Sequence, residues 1–205
     1  MKQNTDESIQ QSEFSYVKKD ILEENIRFFN RNGYLIIKNA ILDTQLQKYN
    51  YTILKLFKMQ AEKCGYTSSV DIDNYQGEKV DLLDQYFEYF QKNDRHAFNQ
   101  AIEILPSLFE SKLLFFSKRL NTVYTKLLKT ELEILSIYGP NILAKLPSID
   151  EGIYTWHTEA HWFPKRRKFL NIWFPFIRDQ NKNNGTMYIL PTSHKKNDWQ
   201  FSEYR

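Results

Sequence analysis

The stretch YTWHTEAHW, residues 154–162, places two histidines and a glutamate among three bulky aromatic side chains. On a β-strand, residues i and i+2 point to the same face, so His157 and Glu159 would project together while Thr158 points away. An imidazole and a carboxylate arranged in this way supply two of the three protein ligands of a 2-His-1-carboxylate iron site. Because the chain contains four histidines and 25 acidic residues, such a triplet also arises by chance in packed strands. These residues alone leave a metal strand and a core strand both open.

The whole chain has the composition of a globular protein. Its 205 residues suit one domain with its own core, and a hydrophobic fraction of 41% argues against disorder. The single cysteine, Cys64, excludes an internal disulfide and a cysteine-rich zinc module. The polar N-terminal residues do not resemble a secretory signal, and no run reaches the ~20 apolar residues of a membrane span. With a net charge of +3, these features predict a cytoplasmic protein without a nucleic-acid or membrane partner, and they leave the oligomeric state open.

The composition divides the chain into a helical half and a β-rich half. Residues 1–14 are predicted to be a flexible lead. Residues 15–205 are predicted to form a single domain, mainly helical over 15–130 and β-rich over 131–205. All four tryptophans lie in the β-rich half.

Apolar residues at helical spacing predict the elements of the first half. In chain order these are a helix over 20–30, a short buried strand over 34–41, a helix over 43–65 and two or three helices over 79–130. Asn32-Gly33 is expected to stop the first helix, and Asp43 or Thr44 to cap the second one. Pro106 is expected to interrupt the last group.

Short β-rich runs separated by Gly and Pro predict strands in the second half. The candidate strands are 131–140, 141–148, 153–162, 168–177 and 186–191. Asn184-Gly185 lies between the last two and is the signal of a tight hairpin turn. The second half is therefore expected to be an antiparallel β structure.

Four of these segments, taken in order, resemble one protein family. They are NGYLIIKNAI (32–41), WHTEAHWFP (156–164), the tryptophan-bearing strand over 168–177, and NNGTMYILPTSHK (183–195). Together they are similar to the phytanoyl-CoA dioxygenase family of iron(II)/2-oxoglutarate oxygenases, weakly over 28–41 and well over 135–196. The resemblance implies an α+β fold, with N-terminal helices packed on a double-stranded β-helix (a cupin-like jelly roll), here missing its C-terminal strands.

The same resemblance implies roles for four residues near a metal. His157 matches the first iron ligand of the family. Glu159 matches the carboxylate ligand, although the family normally has Asp there, so this side chain is longer by one methylene. Trp173 matches a tryptophan that flanks the 2-oxoglutarate pocket, and a core position is the alternative for it. Lys145 matches a lysine that can reach the cosubstrate, and a solvent-facing strand lysine is the alternative.

Three further residues are expected to face the substrate rather than the metal. His161 lies four residues beyond His157, ~13 Å along a strand, which is too far for one shared ion unless the chain bends. His161 is therefore predicted to contact the substrate or to lie behind the metal ligands. Its neighbour Trp162 is also predicted to contact the substrate, and a core position is the alternative for it. Arg166, in the basic run over 165–168, is predicted to gather an anionic substrate, and a solvated loop is the alternative. His194 is expected to hold the turn after the last strand rather than to bind iron.

The resemblance also implies residues that the chain lacks after position 195. In the family, a second histidine ligand and an arginine that anchors 2-oxoglutarate come from late strands of the barrel. Their absence predicts either a fragment, which is favoured, or a truncated homologue. The expected function is an Fe(II)/2-oxoglutarate-dependent dioxygenase that hydroxylates a small molecule and converts 2-oxoglutarate to succinate. The alternatives are a non-catalytic scaffold protein and a cupin-like metalloenzyme that uses His157, Glu159 and His161 without 2-oxoglutarate.

Overall fold

The fold was analysed in a computed structural model, which describes residues 16–17, 20–66, 71–74, 79–136, 142, 156–158, 168–181 and 184–195. Its elements are β1 (Tyr16–Val17), α1 (Glu23–Asn32), β2 (Ile36–Ile37), α2 (Asp43–Lys63), α3 (Lys79–Asn93), α4 (Arg95–Ile104), α5 (Phe109–Leu113) and α6 (Lys118–Leu128). Short 3₁₀ helices span Leu105–Ser107, Leu132–Ile134 and Ser193–Lys195. The helices of this part of the chain are all too short or too polar to cross a membrane.

The first two predicted helices are confirmed, and the strand predicted between them is present at Ile36–Ile37, where it is half-buried rather than buried. The helix α1 ends where Gly33 adopts a left-handed backbone with φ of 84°, as Asn32-Gly33 predicts. The predicted cap of α2 is wrong, because the capping position is Leu42 and Asp43 already lies in the first turn. The Gln45 side chain accepts a hydrogen bond from the Leu42 N–H (3.3 Å), and this bond replaces the cap expected from Asp43 or Thr44.

The helix α2 is the centre of the core. Its buried residues Ile53, Leu54, Phe57 and Ala61 have no exposed surface, and they repeat at the i, i+4, i+8 spacing of one helix face. Around Phe57 the aromatic side chains of α3 and α4 pack edge to face or tilted, with ring centroids 4.8–5.9 Å away. These side chains are Phe87, Phe90 and Phe98. The three helices α2, α3 and α4 therefore form one aromatic-rich layer.

The region 79–130 contains four α-helices, whereas two or three were predicted. The predicted interruption at Pro106 is confirmed, because Pro106 lies in a 3₁₀ helix between α4 and α5. The additional break falls at Asp94, whose side chain accepts a hydrogen bond from the Ala97 N–H (2.9 Å) and so caps α4.

The described residues contain one two-stranded parallel sheet, in which β1 pairs with β2. Over 131–136 the predicted strand is wrong, because these residues include a 3₁₀ helix. Over 168–177 and 186–191 the structure assigns no strand either. A strand needs a hydrogen-bonded neighbour, and the preceding candidate strands are described only over 131–136, at 142 and over 156–158. The helical half of the predicted α+β fold is thus confirmed, and the jelly roll stays a prediction.

Candidate functional site

The segment 168–181 lies across the helical layer and holds one candidate site residue, Trp173. The Phe176 ring packs edge to face on Tyr49 of α2, with centroids 5.3 Å apart. The neighbouring Asn50 side chain donates a hydrogen bond from Nδ2 to the Phe176 carbonyl (2.9 Å). Phe174 packs on Phe115 with centroids 5.6 Å apart. These contacts fix the register of the segment on the helices.

An ion pair attaches the C-terminal end of the same segment to α3. The Arg178 guanidinium binds the Asp84 carboxylate of α3, 94 positions away in the sequence. Both side chains are about half exposed, so this pair contributes little stability by itself. Together with the Asn50 bond, it orients the segment on the helices.

The anchored side chains determine which residues of the segment face outward. Leu170, Phe174, Phe176 and Ile177 pack against the helical core, whereas Trp173 is 41% exposed. Two other large apolar residues of the segment, Phe169 and Ile172, are also more than a third exposed. Trp173 therefore lies outside the helical core. A ring that flanks a cosubstrate pocket needs such an accessible position.

His157 is the other candidate site residue that the structure describes. Its side chain is exposed, as is that of the preceding Trp156, so the imidazole is not used as core filling. Thr158, the residue expected to point away from His157, is half-buried. The candidate residues Lys145, Glu159, His161, Trp162 and Arg166 lie outside the described residues. Within the part of the chain that is described, no three His, Cys, Asp or Glu side chains cluster as a metal site would.

A turn forms at Asn184-Gly185, where the sequence predicts one. Gly185 has a φ of 87°, and the Thr186 N–H donates to the Asn181 carbonyl (3.2 Å). The Asn184 side chain accepts a hydrogen bond from the Asn181 N–H (2.6 Å). A turn at Asn184-Gly185 is therefore confirmed. The described residues on either side of it form no strand ladder, so the hairpin stays a prediction.

His194 has the structural role expected for it. Its Nε2 lies 3.1 Å from the Asn30 carbonyl of α1; since a carbonyl only accepts, this nitrogen donates. Beside it the Thr192 N–H donates to the Asn32 carbonyl (2.8 Å). Both bonds satisfy carbonyls at the C-terminal end of α1, which lack partners within the helix. The histidine is thus used for docking the PTSHK turn on α1.

Sequence reasoning missed the residues that hold this half in place. Asn50, Asp84 and Tyr49 lie on helices and contact partners that are 94 or more positions away. No local pattern marks such residues, because their partners follow from the packing of the helices. Tyr49 is buried on the apolar face of α2, and this spacing indicates core rather than support for a site. Asn50 and Asp84 are partly exposed polar residues of helices and carry no signal of their own.

Comparison with known proteins assigns the chain to a family. The model of the family "Phytanoyl-CoA dioxygenase (PhyH)" matches residues 29–203. This match covers most of the 205 residues, so the chain belongs to the phytanoyl-CoA dioxygenase (PhyH) family, and the resemblance read from the sequence is confirmed.

Similar proteins of known name agree with this assignment. The human peroxisomal phytanoyl-CoA dioxygenase is 23% identical over 196 residues, which cover 91% of this chain and 51% of the human protein. The bovine enzyme of the same name is 22% identical over 194 residues, with 92% and 52% covered. The chain therefore spans about half the length of the curated relatives it matches. No solved structure matches it significantly.

Proposed function

We propose that the chain carries the iron-binding part of an Fe(II)/2-oxoglutarate-dependent dioxygenase that acts on a small molecule. The observation that carries this proposal is the family match, which spans the His157-Thr158-Glu159 triplet and continues to position 203. The exposure of His157 and Trp173 agrees with it, because a ligand and a pocket wall must both be accessible. A cytoplasmic location belongs to the same proposal.

The roles follow the family motif position by position. His157 and Glu159 hold the iron, since an imidazole and a carboxylate are the ligands that suit Fe(II) oxygenases. Trp173 and Lys145 contact 2-oxoglutarate. His161, Trp162 and Arg166 face the substrate. Of the two metal ligands, His157 is the one that the structure describes; its side chain is exposed, and an imidazole is a donor type that suits Fe(II).

When bound, iron and 2-oxoglutarate supply oxidative decarboxylation coupled to hydroxylation of a C–H bond. The residues of the chain bind, orient and shield these groups. Glu159 offsets part of the charge of the cation, and its extra methylene, compared with Asp, changes where the oxygen lies. Trp173 provides an apolar wall that excludes water beside the cosubstrate. The basic run over 165–168 favours an anionic substrate, and the fold leaves its identity open.

The placement of the histidines favours one alternative. Of the four in the chain, His96 bonds to Gln100 on α4 (3.1 Å) and His194 bonds to α1. Within these 205 residues, His161 is the histidine that remains to join His157. The second candidate function is therefore a metal-dependent, 2-oxoglutarate-independent activity with His157, Glu159 and His161 as ligands.

An anaerobic titration with Fe(II) and 2-oxoglutarate tests the proposal. We expect the 205-residue chain to bind Fe(II). A visible charge-transfer band that saturates with 2-oxoglutarate would mean that this chain also supplies the third ligand and the carboxylate anchor. Glu159→Ala and His157→Ala should each weaken iron binding by at least about the 10–100-fold seen for outer-shell changes, and should abolish the band if it forms. His96→Ala is the matched control, because His96 lies on α4 and should leave iron binding unchanged.

Two results would change the assignment. Iron binding that does not respond to 2-oxoglutarate and is lost in His161→Ala would favour the second candidate. The absence of any iron binding, with the helical fold intact by circular dichroism, would contradict a metal site in this chain.

A further inference from the structure

Large apolar residues are exposed on α5 and on the turn after it. An ordinary surface helix exposes mainly polar residues. Phe109 is 71% exposed, Leu113 36% and Phe116 56%. The opposite face is buried, with Ser111 at 1% and Leu114 at 3%. A surface helix normally turns its apolar side to the core and its polar side to water. Here both sides carry large apolar residues, so the outward one requires another explanation.

The three exposed residues form one continuous strip. Phe109 and Leu113 lie four positions apart on α5 and therefore share a helix face. The Phe116 N–H donates to the Leu113 carbonyl (3.1 Å). Such an i to i+3 bond stacks the two side chains on the same side. Phe109, Leu113 and Phe116 are called the α5 strip below.

Two exposed lysines lie close to the α5 strip in the sequence. Lys112 is exposed and lies on the strip's own face, three residues after Phe109. Lys118 is exposed two residues beyond Phe116. The acidic residue within α5, Glu110, is engaged by the Lys48 ammonium at 2.8 Å. Large apolar side chains flanked by cations are the composition of surfaces that bind anionic membranes.

We propose that the α5 strip docks the protein on the surface of an anionic lipid membrane. Phe109, Leu113 and Phe116 enter the interfacial region, and Lys112 and Lys118 contact lipid phosphates and carboxylates. The sequence-based expectation of no membrane partner rested on the lack of a spanning segment, and interfacial docking needs none. This inference is independent of the iron site.

The geometry favours a membrane over a second copy of the chain. Three partly exposed side chains of this size present roughly 300 Å² of apolar area, well below the ~800 Å² per partner of a standard interface. A two-fold dimer would also bring Lys112 of each copy near the other, and like charges repel.

Vesicle co-sedimentation tests the proposal with the 205-residue chain. The probes are phosphatidylcholine vesicles and vesicles with about 30 mol% phosphatidylserine. We expect binding to the anionic vesicles that falls as salt rises. The double variant Phe109→Ser/Phe116→Ser should reduce partitioning by about tenfold or more. Lys112→Gln/Lys118→Gln should reduce it by about fivefold for each charge removed.

Matched controls separate docking from folding. Ile134→Ser removes an apolar residue of similar exposure, 73%, in the 3₁₀ helix after the other end of α6. Lys92→Gln removes an exposed charge from α3. Both should bind anionic vesicles like the unmodified chain, and circular dichroism should show that all variants are folded.

Either of two results would overturn the proposal. One is the absence of binding to anionic vesicles, or binding that the changes at 109 and 116 leave unaltered. The other is concentration-dependent self-association in sedimentation velocity that Phe109→Ser/Phe116→Ser abolishes, which would make the α5 strip an interface between copies.

Discussion

Ser111 joins three helical elements through one buried hydroxyl group. Its Oγ bonds to the Leu105 carbonyl and lies 2.9 Å from the Tyr49 hydroxyl. A carbonyl only accepts, so the single Ser111 hydrogen goes to Leu105 and the Tyr49 hydroxyl donates to Ser111. Burial raises the pKa of Tyr49, which keeps that donor in place. The Tyr49 ring also packs against Phe176. This small network therefore supports the segment 168–181, which contains Trp173.

Replacing Ser111 with Ala should lower the free energy of unfolding by about 1–3 kcal/mol, because two buried polar groups lose their partner. Tyr49→Phe should cost less, about 0.5–1.5 kcal/mol, because Ser111 keeps its bond to Leu105. Urea unfolding of both variants measures the difference. A Ser111→Ala variant as stable as the unmodified chain, or a costlier Tyr49→Phe, would contradict the network.

At the scale of elements, helices were predictable, whereas of the predicted strands the described residues contain only the one between α1 and α2. Apolar residues repeating every three or four positions predict α1 and α2 because a helix forms its own hydrogen bonds. A strand depends on a neighbour that can be distant in sequence, so the apolar runs 168–177 and 186–191 could not establish a ladder by themselves. The extra break between α3 and α4 was missed because Asp94 lies inside an uninterrupted helical pattern.

Asp94 combines a cap with an electrostatic effect, and Asp94→Asn separates the two. One carboxylate oxygen caps α4, and the other lies 3.7 Å from the Cys64 Sγ. Burial, and then the Asp94 charge, raise the pKa of Cys64. The reactive form is the thiolate, so alkylation of Cys64 should begin at a higher pH than for an ordinary thiol. Asp94→Asn removes the charge and should move the pH–rate profile of iodoacetamide labelling to lower pH.

Asn caps helices about as well as Asp. Asp94→Asn should therefore leave the free energy of unfolding nearly unchanged. Asp94→Ala is the control, because it should shift the labelling profile in the same direction and also cost about 1 kcal/mol for the lost cap. A labelling profile that Asp94→Asn does not move would show that the carboxylate leaves the thiol unperturbed.

At the scale of the molecule, contacts between distant residues join the two halves of the chain. Asn50 bonds to the Phe176 carbonyl, and the bond from His194 to the Asn30 carbonyl spans 164 positions. The sequence predicted His157, Glu159 and Trp173 as site residues because a family motif is a local string of letters. The supports of the site could not be predicted, because their partners are set by how the helices pack.

Gly33 tests the docking of the PTSHK turn on α1, and Gly65 supplies a matched control. Both glycines have a left-handed backbone, with φ of +84° and +83°. A Cβ at Gly33 would lie 2.3 Å from the His194 Nδ1, whereas a Cβ at Gly65 would meet nothing within 4 Å. Both Ala variants should therefore lose about 1–2 kcal/mol to the backbone. Gly33→Ala should lose about 1–3 kcal/mol more, because the His194 ring must move.

Hydrogen exchange of one amide shows where that extra cost arises. The Thr192 N–H donates to the Asn32 carbonyl (2.8 Å), so its protection reports whether the turn is docked. In Gly33→Ala this amide should exchange faster, and in Gly65→Ala it should not. Adding His194→Ala to Gly33→Ala should cost less than His194→Ala alone, since the clash and the bond to Asn30 are lost together. Equal losses in the two glycine variants, with the Thr192 amide unaffected, would mean that the turn is not held on α1 by His194.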